Sequence, residues 1–357
     1  MFDAFMISVG FIRSRSDVCM YHKGDRDNKV IVLVYVDDII VASKHDTLLD
    51  EFYTTMSARF QIESDALHYY VGMQITIDVG ASASINQSNY INRICKRADV
   101  SVNKKIITPM SAHRHDRMTR QMSPSDDDAH DQEMMTTYRS NVSSIMYAAV
   151  HSRPDVTYSA NLAARFMSNP GEKHGESVTR IFQYLMNTTD KHIIYTRSSD
   201  VHKCNQLVCY VDTSHADSDD LRTTVGYVIY LNGGPISWRT LLHKGHCGSP
   251  TESEYMGMYH AVSEVLSLRH LMEEIGYAQS GATTIHEDNE GSIKIANNPR
   301  CHDRLKHVEL KYHITRDAIE AKRISVIKIA TADQDADLMT KPLARVQHWH
   351  HANKMLK

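Results

Sequence analysis

No two cysteines in this 357-residue chain stand at C-x-x-C spacing. The six present (Cys19, Cys95, Cys204, Cys209, Cys247 and Cys301) are scattered, which argues against a zinc module and for reduced, intracellular thiols. An excess of charge of one sign is also missing. With 40 Lys and Arg against 43 Asp and Glu, the formal net charge is −3, so no global field draws the chain to nucleic acid and any such contact must come from local basic surface. Long apolar runs are absent: the longest, residues 30–42, is interrupted by Asp37 and Asp38, and the first residues mix Asp3, Arg13 and Arg15 into apolar positions. Neither a membrane span nor a signal peptide is expected, and the reading is a soluble protein of the cytoplasm or nucleus, not secreted and without a membrane partner. Internal repeats are lacking, and low complexity is confined to one short Ser/Asp stretch. Histidine is plentiful at 22, but its densest group, His348, His350 and His351, reads as a polar end rather than a metal site.

With 42% hydrophobic residues, a chain of this length can bury two or three cores, so more than one domain is expected. Residues 1–110 begin with a helix-like segment, then strands at 18–21 and 30–35, a helical pattern at 47–60 and a strand near 71–75. Residues 111–133 turn polar and acidic around Ser123-Pro124-Ser125-Asp126-Asp127-Asp128 and read as a linker. Residues 134–196 read as two or three helices, with Ile145, Met146 and Ala149, then Val178, Ile181, Phe182 and Leu185 at core spacing. Residues 197–345 supply strand, strand, an Asn232-Gly233-Gly234 turn, strand, long helix, strand, helix, helix, strand and helix. Residues 346–357 form a tail. The expected fold class is α+β.

Four acids stand at the ends of these elements. Asp212 follows the apolar run Leu207-Val208-Cys209-Tyr210-Val211 and should sit at a strand's exit. Glu254 lies where a helix should begin, because Tyr255, Met258, Tyr259, Val262, Leu266 and Ile275 recur at roughly helical spacing. Asp288 ends the strand-like Thr283-Thr284-Ile285-His286-Glu287, and Asp337 follows an alternating strand at 324–329. Any one of them alone reads as a cap or a solvated carboxylate. The ordered set points elsewhere, because a site for two divalent metals needs several carboxylates converging from different elements. Arg300, Arg304, Lys306, Lys311, Arg316, Lys322 and Arg323, with His302, His307 and His313 interleaved, form the one basic stretch. Asp303, Glu309, Asp317 and Glu320 lie within it, so a nucleic-acid contact and a solvated helix face both remain open.

Several stretches, in this order, resemble one family: Tyr35-Val36-Asp37-Asp38, Thr108-Pro109, Tyr138-Arg139-Ser140, Ser152-Arg153-Pro154-Asp155-Val156, Arg165-Phe166-Met167-Ser168, Gly233-Gly234-Pro235-Ile236-Ser237-Trp238, Thr251 to Tyr255, Glu287-Asp288-Asn289, Lys306-His307-Val308, and Ala336 to Leu343. From about Val30 to Leu343 the chain resembles the carboxy-terminal part of the pol polyprotein of copia-type long-terminal-repeat retrotransposons. The resemblance implies a partial reverse-transcriptase palm and thumb over 1–110, a helical connection over 134–196, and a ribonuclease H-like mixed sheet with flanking helices over 197–345. It further implies Mg²⁺-dependent cleavage of the RNA strand in RNA–DNA hybrids, with two ions and Mn²⁺ as a substitute. Asp212 would bridge both ions, Glu254 and Asp288 would complete one, and Asp337 the other. Arg304, Lys306, His307 and Lys311 would contact nucleic acid, and the hybrid would be recognised by backbone shape and 2′-hydroxyls rather than base sequence. If the element is intact, other pol or gag products are the further partners. In the polymerase part, Asp37 would be a metal ligand, with Asp38 and Tyr35 beside it. The first polymerase acid belongs to a motif upstream, for which Asp3 is the only early candidate, so polymerase activity is not expected of this chain alone.

The sequence departs from the family in three places. Where Ser-Asp-Ala-Asp-Trp is usual, it reads Val211-Asp212-Thr213-Ser214-His215, without the second acid and the Trp. Before the glutamate, His246-Cys247-Gly248-Ser249-Pro250 puts a glycine and a proline where ladder residues are expected, which should weaken a core strand beside the site. Residues 330–334 contain no histidine, so no proton-shuttling group is assigned there. Two alternatives to the enzyme follow: a nucleic-acid-binding module without turnover, and a catalytically inactive remnant. Metal-dependent cleavage separates the enzyme from both.

Overall fold

The structure is a computed structural model that describes residues 1–113, 116–125, 131–198, 204–215, 221–298 and 313–357. It is an α+β protein, with three sheets among the described residues.

The first sheet is an antiparallel meander of β1 (Ile12–Arg13), β2 (Met20–Lys23), β3 (Val30–Tyr35) and β4 (Asp38–Ser43). Its β-branched alternation buries Val30 and Val32 against Phe52 and Met56 of α2 (Asp46–Ser57) and Met6 of α1 (Phe2–Ser8). Between β3 and β4 only Val36 and Asp37 turn the chain, and Val36 is held at φ 53°. A β-branched residue in that region is strained by about 1–3 kcal/mol, so the surrounding hairpin must impose it.

A second antiparallel sheet joins distant parts of the chain. β5 (Tyr69–Tyr70), β6 (Met73–Asp78) and β7 (Ser82–Asn86) are followed by β8 (Ile193–Thr196), which pairs with β7 from Ser82↔Thr196 to Ile85↔Ile193. Between them lie α3 (Ser88–Arg97), α4 (Gln132–His151), α5 (Thr157–Ala164) and α6 (Glu172–Asn187), whose Ile91, Val142, Ile145, Ile181 and Leu185 share one core. Met118, in the stretch read as a linker, is buried in that same core.

The third sheet has the order β11-β10-β9-β12-β13, built from β9 (Val208–Ser214), β10 (Thr224–Leu231), β11 (Gly234–Leu242), β12 (Thr283–Glu287) and β13 (Ile324–Lys328). Pairs among β9, β10 and β11 are antiparallel, whereas β9, β12 and β13 run parallel. Alternation decides the two faces: Cys209 and Val211 pack under α7 (Pro250–Glu274), and Tyr210, Val228 and Tyr230 pack under α10 (Asp337–Thr340) and α11 (Arg345–Met355). α8 (Glu290–Asn297) and α9 (Ile314–Glu320) complete the α7 side, with Ile295 and Ala318 in its core.

Two expectations are corrected. Gly248 and Pro250 do not break a strand, because β11 already ends at Leu242, fully paired with Thr224. Ser249 caps α7, its side chain accepting from the Glu252 amide at 3.2 Å, and Pro250 takes the first helical position, where a missing N–H costs nothing. Of the histidines near the end only His350 is exposed; His348 and His351, with Ala352 and Met355, form the buried stripe of α11 rather than a polar end. His348 faces Tyr184, whose hydroxyl donates to Asp155 Oδ2 at 2.6 Å and lies 2.8 Å from His348 Nε2. The fully buried Arg153 guanidinium clamps the same Asp155 through Nε at 2.9 Å and Nη2 at 2.7 Å, and Nη1 reaches the Thr188 carbonyl at 3.0 Å. This paired charge is tolerated in the core because every strong donor and acceptor has a partner.

Candidate metal centre

Each carboxylate of the site is placed by a different device. Asp212 is carried near the end of β9 on the face of α10, opposite Gly226 of β10 in the pairing register. A Cβ at Gly226 would stand 2.5 Å from the Met339 Cβ and 2.7 Å from Thr340 Cγ2, so only glycine admits α10 this close. The Thr340 hydroxyl then donates to Asp212 Oδ2. Glu254 lies on α7 one turn before Gly257, whose bare backbone seats the helix on β9; a Cβ there would be 2.4 Å from Thr213 Cγ2. Asp288 leaves β12 between two anchors. Glu287 Oε1 accepts from the Asn289 amide at 3.0 Å, and Asn289 caps α8 by accepting from Gly291 at 2.9 Å and Ser292 at 3.1 Å.

These elements bring Asp212, Glu254 and Asp288 together, with one carboxylate oxygen from each within 4.8 Å of the others. Asp337, the first residue of α10, joins them through Lys341, whose ammonium lies 2.7 Å from Asp337 Oδ1 and 3.5 Å from Asp212 Oδ2. Buried Gln334 fixes the approach to α10 by donating to the Val211 carbonyl at 2.9 Å. Thr340, Lys341 and Glu287 are participants that sequence reasoning missed. The signal for the first two lay in the stretch Ala336 to Leu343, where Lys341 stands one helical turn after Asp337.

Concentrating acids in a buried place raises their proton affinity. Burial pushes the Asp212 carboxyl up to about 7; Lys341 opposes that rise and Asp337 adds to it. Glu254 is raised well above the ordinary range by burial, then by Glu287 and Asp212. Burial likewise lifts Glu287 to about 8, against the pull of the Asn289 amide. Asp337 is raised by burial, with Lys341 opposing. For Lys341 itself burial works against the charge, and the carboxylates of Asp212 and Asp337 overcome it, so its proton is held more tightly than usual.

The donor set is all oxygen and anionic, which suits a hard divalent cation such as Mg²⁺ or Mn²⁺. Glu254 Oε2 is buried without a hydrogen-bond partner, an orphan whose cost a cation would remove. The residues present therefore fit a metal ion.

The polymerase-type residues lie elsewhere. Tyr35, Asp37 and Asp38 are exposed at the β3–β4 turn, with the Tyr35 ring edge-on to Tyr70 at 6.4 Å. Asp3 is engaged structurally: it accepts from the Tyr21 hydroxyl at 2.8 Å and lies 3.7 Å from Arg13. Arg304, Lys306, His307 and Lys311 fall outside the described residues. Among the described residues no helix is long and apolar enough to cross a membrane.

Residues 1–112 match the family described as reverse transcriptase (RNA-dependent DNA polymerase). The chain is 30% identical over 348 residues to the retrovirus-related Pol polyprotein from transposon TNT 1-94 of Nicotiana tabacum, covering 96% of this chain and 26% of that protein. It is 31% identical over 353 residues to the corresponding polyprotein from transposon RE1 of Arabidopsis thaliana, covering 98% of this chain and 23% of that one. A transposon Ty5-1 protein of Saccharomyces cerevisiae is 26% identical over 260 residues, covering 72% of this chain and 80% of the yeast protein. No solved structure matches. The chain belongs to the copia-type retrotransposon Pol polyproteins, and it spans about a quarter of the length of the plant relatives it matches.

Proposed function

We propose that Asp212, Glu254, Asp288 and Asp337 form a Mg²⁺-dependent nuclease centre that cleaves the RNA strand of RNA–DNA hybrids, in a ribonuclease H-like unit spanning residues 197–345. The observation that carries this reading is the convergence of three carboxylates from β9, α7 and the β12–α8 junction, one of them with a buried and unpartnered oxygen. A structural role alone would leave such a cluster costly, since Asp212, Glu254 and Asp337 are driven toward their neutral forms.

Asp212, Glu254 and Asp288 would hold one ion, and Asp212 with Asp337 would face a second. Mg²⁺ bound there supplies a Lewis acid that stabilises charge on the scissile phosphate and favours ionisation of an attacking water. The Thr340 hydroxyl orients Asp212 by donating to Oδ2, and the Lys341 ammonium favours the ionised forms of Asp212 and Asp337 against the effect of their burial. A hybrid would be selected by its backbone shape and its 2′-hydroxyls. Arg304, Lys306, His307 and Lys311 are the proposed contacts to its phosphates. Within an intact element the chain would act inside the cell, beside other Pol and Gag products.

For the hairpin the proposal is narrower. Tyr35, Asp37 and Asp38 supply one carboxylate strand of a polymerase site, whereas nucleotide addition needs acids from two neighbouring strands. Asp3 is committed to Tyr21 and Arg13, so this chain alone should not extend a primer on an RNA template.

The test is cleavage of an RNA–DNA hybrid labelled on each strand in turn. Mg²⁺-dependent loss of the RNA strand alone, abolished in Asp212→Asn, is expected. Cleavage that persists in that variant, or none under any metal condition, would overturn the assignment.

A further inference from the structure

The two sides of Asp212 differ in a way that bears on how metal enters. Toward Glu254, among the described residues, lie carboxylate oxygens with no Lys or Arg paired to them, including the buried Glu254 Oε2 that has no hydrogen-bond partner. Toward Asp337 the cation is supplied by the chain. Lys341 Nζ is 2.7 Å from Asp337 Oδ1 and 3.5 Å from Asp212 Oδ2, and the same Oδ2 also accepts from Thr340. The short contact with Asp337 and the longer one with Asp212 make Lys341 an ion-pair bridge between the two carboxylates. The ammonium therefore acts as a point charge between two carboxylates, which is what a metal ion would do there.

We propose that Lys341 occupies one of the two cation positions of the site: a divalent ion binds first among Asp212, Glu254 and Asp288, and a second ion binds only by displacing the Lys341 ammonium from Asp212 and Asp337. This rests on the metal-centre reading above and deepens it. An ion held by Asp212 Oδ2 and Asp337 Oδ1 would need the position between them that the ammonium fills, 3.5 Å from the one and 2.7 Å from the other, and at so short a separation the two positive charges would also repel. Departure is open to the lysine, since its side chain is 33% exposed, at the rim of a site whose Asp212 is 4% exposed. Its flexible stem can carry the charge to solvent without moving α10. Lys341 thereby serves two ends. It neutralises the acids while the second ion is absent, and it makes binding of that ion the weaker step, one that a substrate phosphate would favour by adding negative charge.

The experiment is a Mn²⁺ titration of the full chain followed by electron paramagnetic resonance, which counts bound ions without requiring turnover. The unsubstituted chain should take one ion tightly and a second at least tenfold more weakly. Lys341→Met, of similar length and without charge, should tighten the second ion at least tenfold and change the first less than threefold. Equal affinity of both ions in the unsubstituted chain, or a second-ion affinity within twofold between the two chains, would refute the displacement. A second readout uses the unsubstituted chain alone, so it stands even if the variant fails to fold. Acetylation of Lys341, followed by peptide mass spectrometry, should rise over the Mn²⁺ range of the second ion and not of the first, and a flat profile would refute the proposal as well. Absence of any bound ion would sink the metal centre and this inference with it, whereas one tight ion with an indifferent Lys341 would sink this inference alone.

Discussion

Buried carboxylates give the site its chemistry and make it a liability to the fold. Asp212 moves from its ordinary 3.8 to about 7, and Glu287 from 4.5 to about 8. Between those limits these two acids bind more protons in the folded chain than in the unfolded one, so without a divalent metal their contribution to stability should fall as the pH rises from about 4 to about 8. Asp212→Asn removes one charge from the cluster and should raise the metal-free melting temperature at pH 8 by several degrees, for a gain on the order of 2 kcal/mol. Mg²⁺ or Mn²⁺ should stabilise the unsubstituted chain and not the variant. Thermal melts with and without metal at pH 5 and pH 8 measure this, and a metal-free stability that rises with pH would contradict it. The placement of the four acids on their elements is legible in sequence because Asp212, Asp288 and Asp337 follow strand-like runs and Glu254 opens a helical one. Lys341 and Thr340 were not read as site residues, since their approach to Asp212 depends on α10 folding back over Gly226, which is a tertiary event.

At the scale of elements, close approach is decided by two missing side chains. Gly257 lies inside a 25-residue helix, where alanine would ordinarily gain about 1 kcal/mol of helix propensity. Its Cβ would meet Thr213 Cγ2 at 2.4 Å, and overpacking of that kind costs roughly 1–3 kcal/mol. Gly257→Ala is therefore expected to be net destabilising by about 1 kcal/mol, and to lower hybrid cleavage on the order of 10²-fold by shifting Glu254. Gly175, in α6, is the control: nothing lies within 4 Å of its Cβ, so Gly175→Ala should stabilise by up to about 1 kcal/mol and leave cleavage unchanged. Denaturant midpoints and cleavage rates of both variants check the pair, and equal behaviour would contradict the packing argument. The strand and helix order of the third sheet was readable because alternation and helical spacing are local. Pro250 is ambiguous in sequence, because a proline that opens a helix and one that interrupts a strand look alike until the strand's end at Leu242 is known. β7 and β8 went unread, since Ser82–Asn86 has little apolar alternation and the partner lies more than a hundred residues away.

Across the whole molecule, α11 ties the helical region to the third sheet. Trp349 donates to the Ile107 carbonyl at 3.0 Å, the Lys357 amide donates to His192 at 2.9 Å, and His348 meets Tyr184 and the Arg153–Asp155 pair. Asp155→Asn would leave Arg153 charged and buried, at a cost of about 3–5 kcal/mol. Its loss should lower the melting temperature of the whole chain rather than of one region, as circular dichroism would report. Burial lowers His348 from 6.5 to about 4. At this group the unfolded chain therefore binds the extra proton between those values, and the contribution of His348 to stability should fall as the pH drops from about 6.5 to about 4, by roughly 3 kcal/mol, against the opposite trend of the buried carboxylates. His348→Gln should flatten that acid limb, and an unchanged slope would contradict the assignment. The stripe of His348, His351, Ala352 and Met355 has helical spacing, yet its histidines read as polar because their partners, Tyr184 and Asp335, come from elsewhere in the chain.

The central claim is that Asp212, Glu254 and Asp288 hold a divalent ion, and anomalous scattering from a Mn²⁺-soaked crystal of the full chain tests it most directly. A peak about 2.0–2.3 Å from a carboxylate oxygen of each of the three, absent in Asp212→Asn, is the result the account predicts. A crystal that binds Mn²⁺ only elsewhere, or that keeps these three carboxylates without a metal at saturating Mn²⁺, would contradict it.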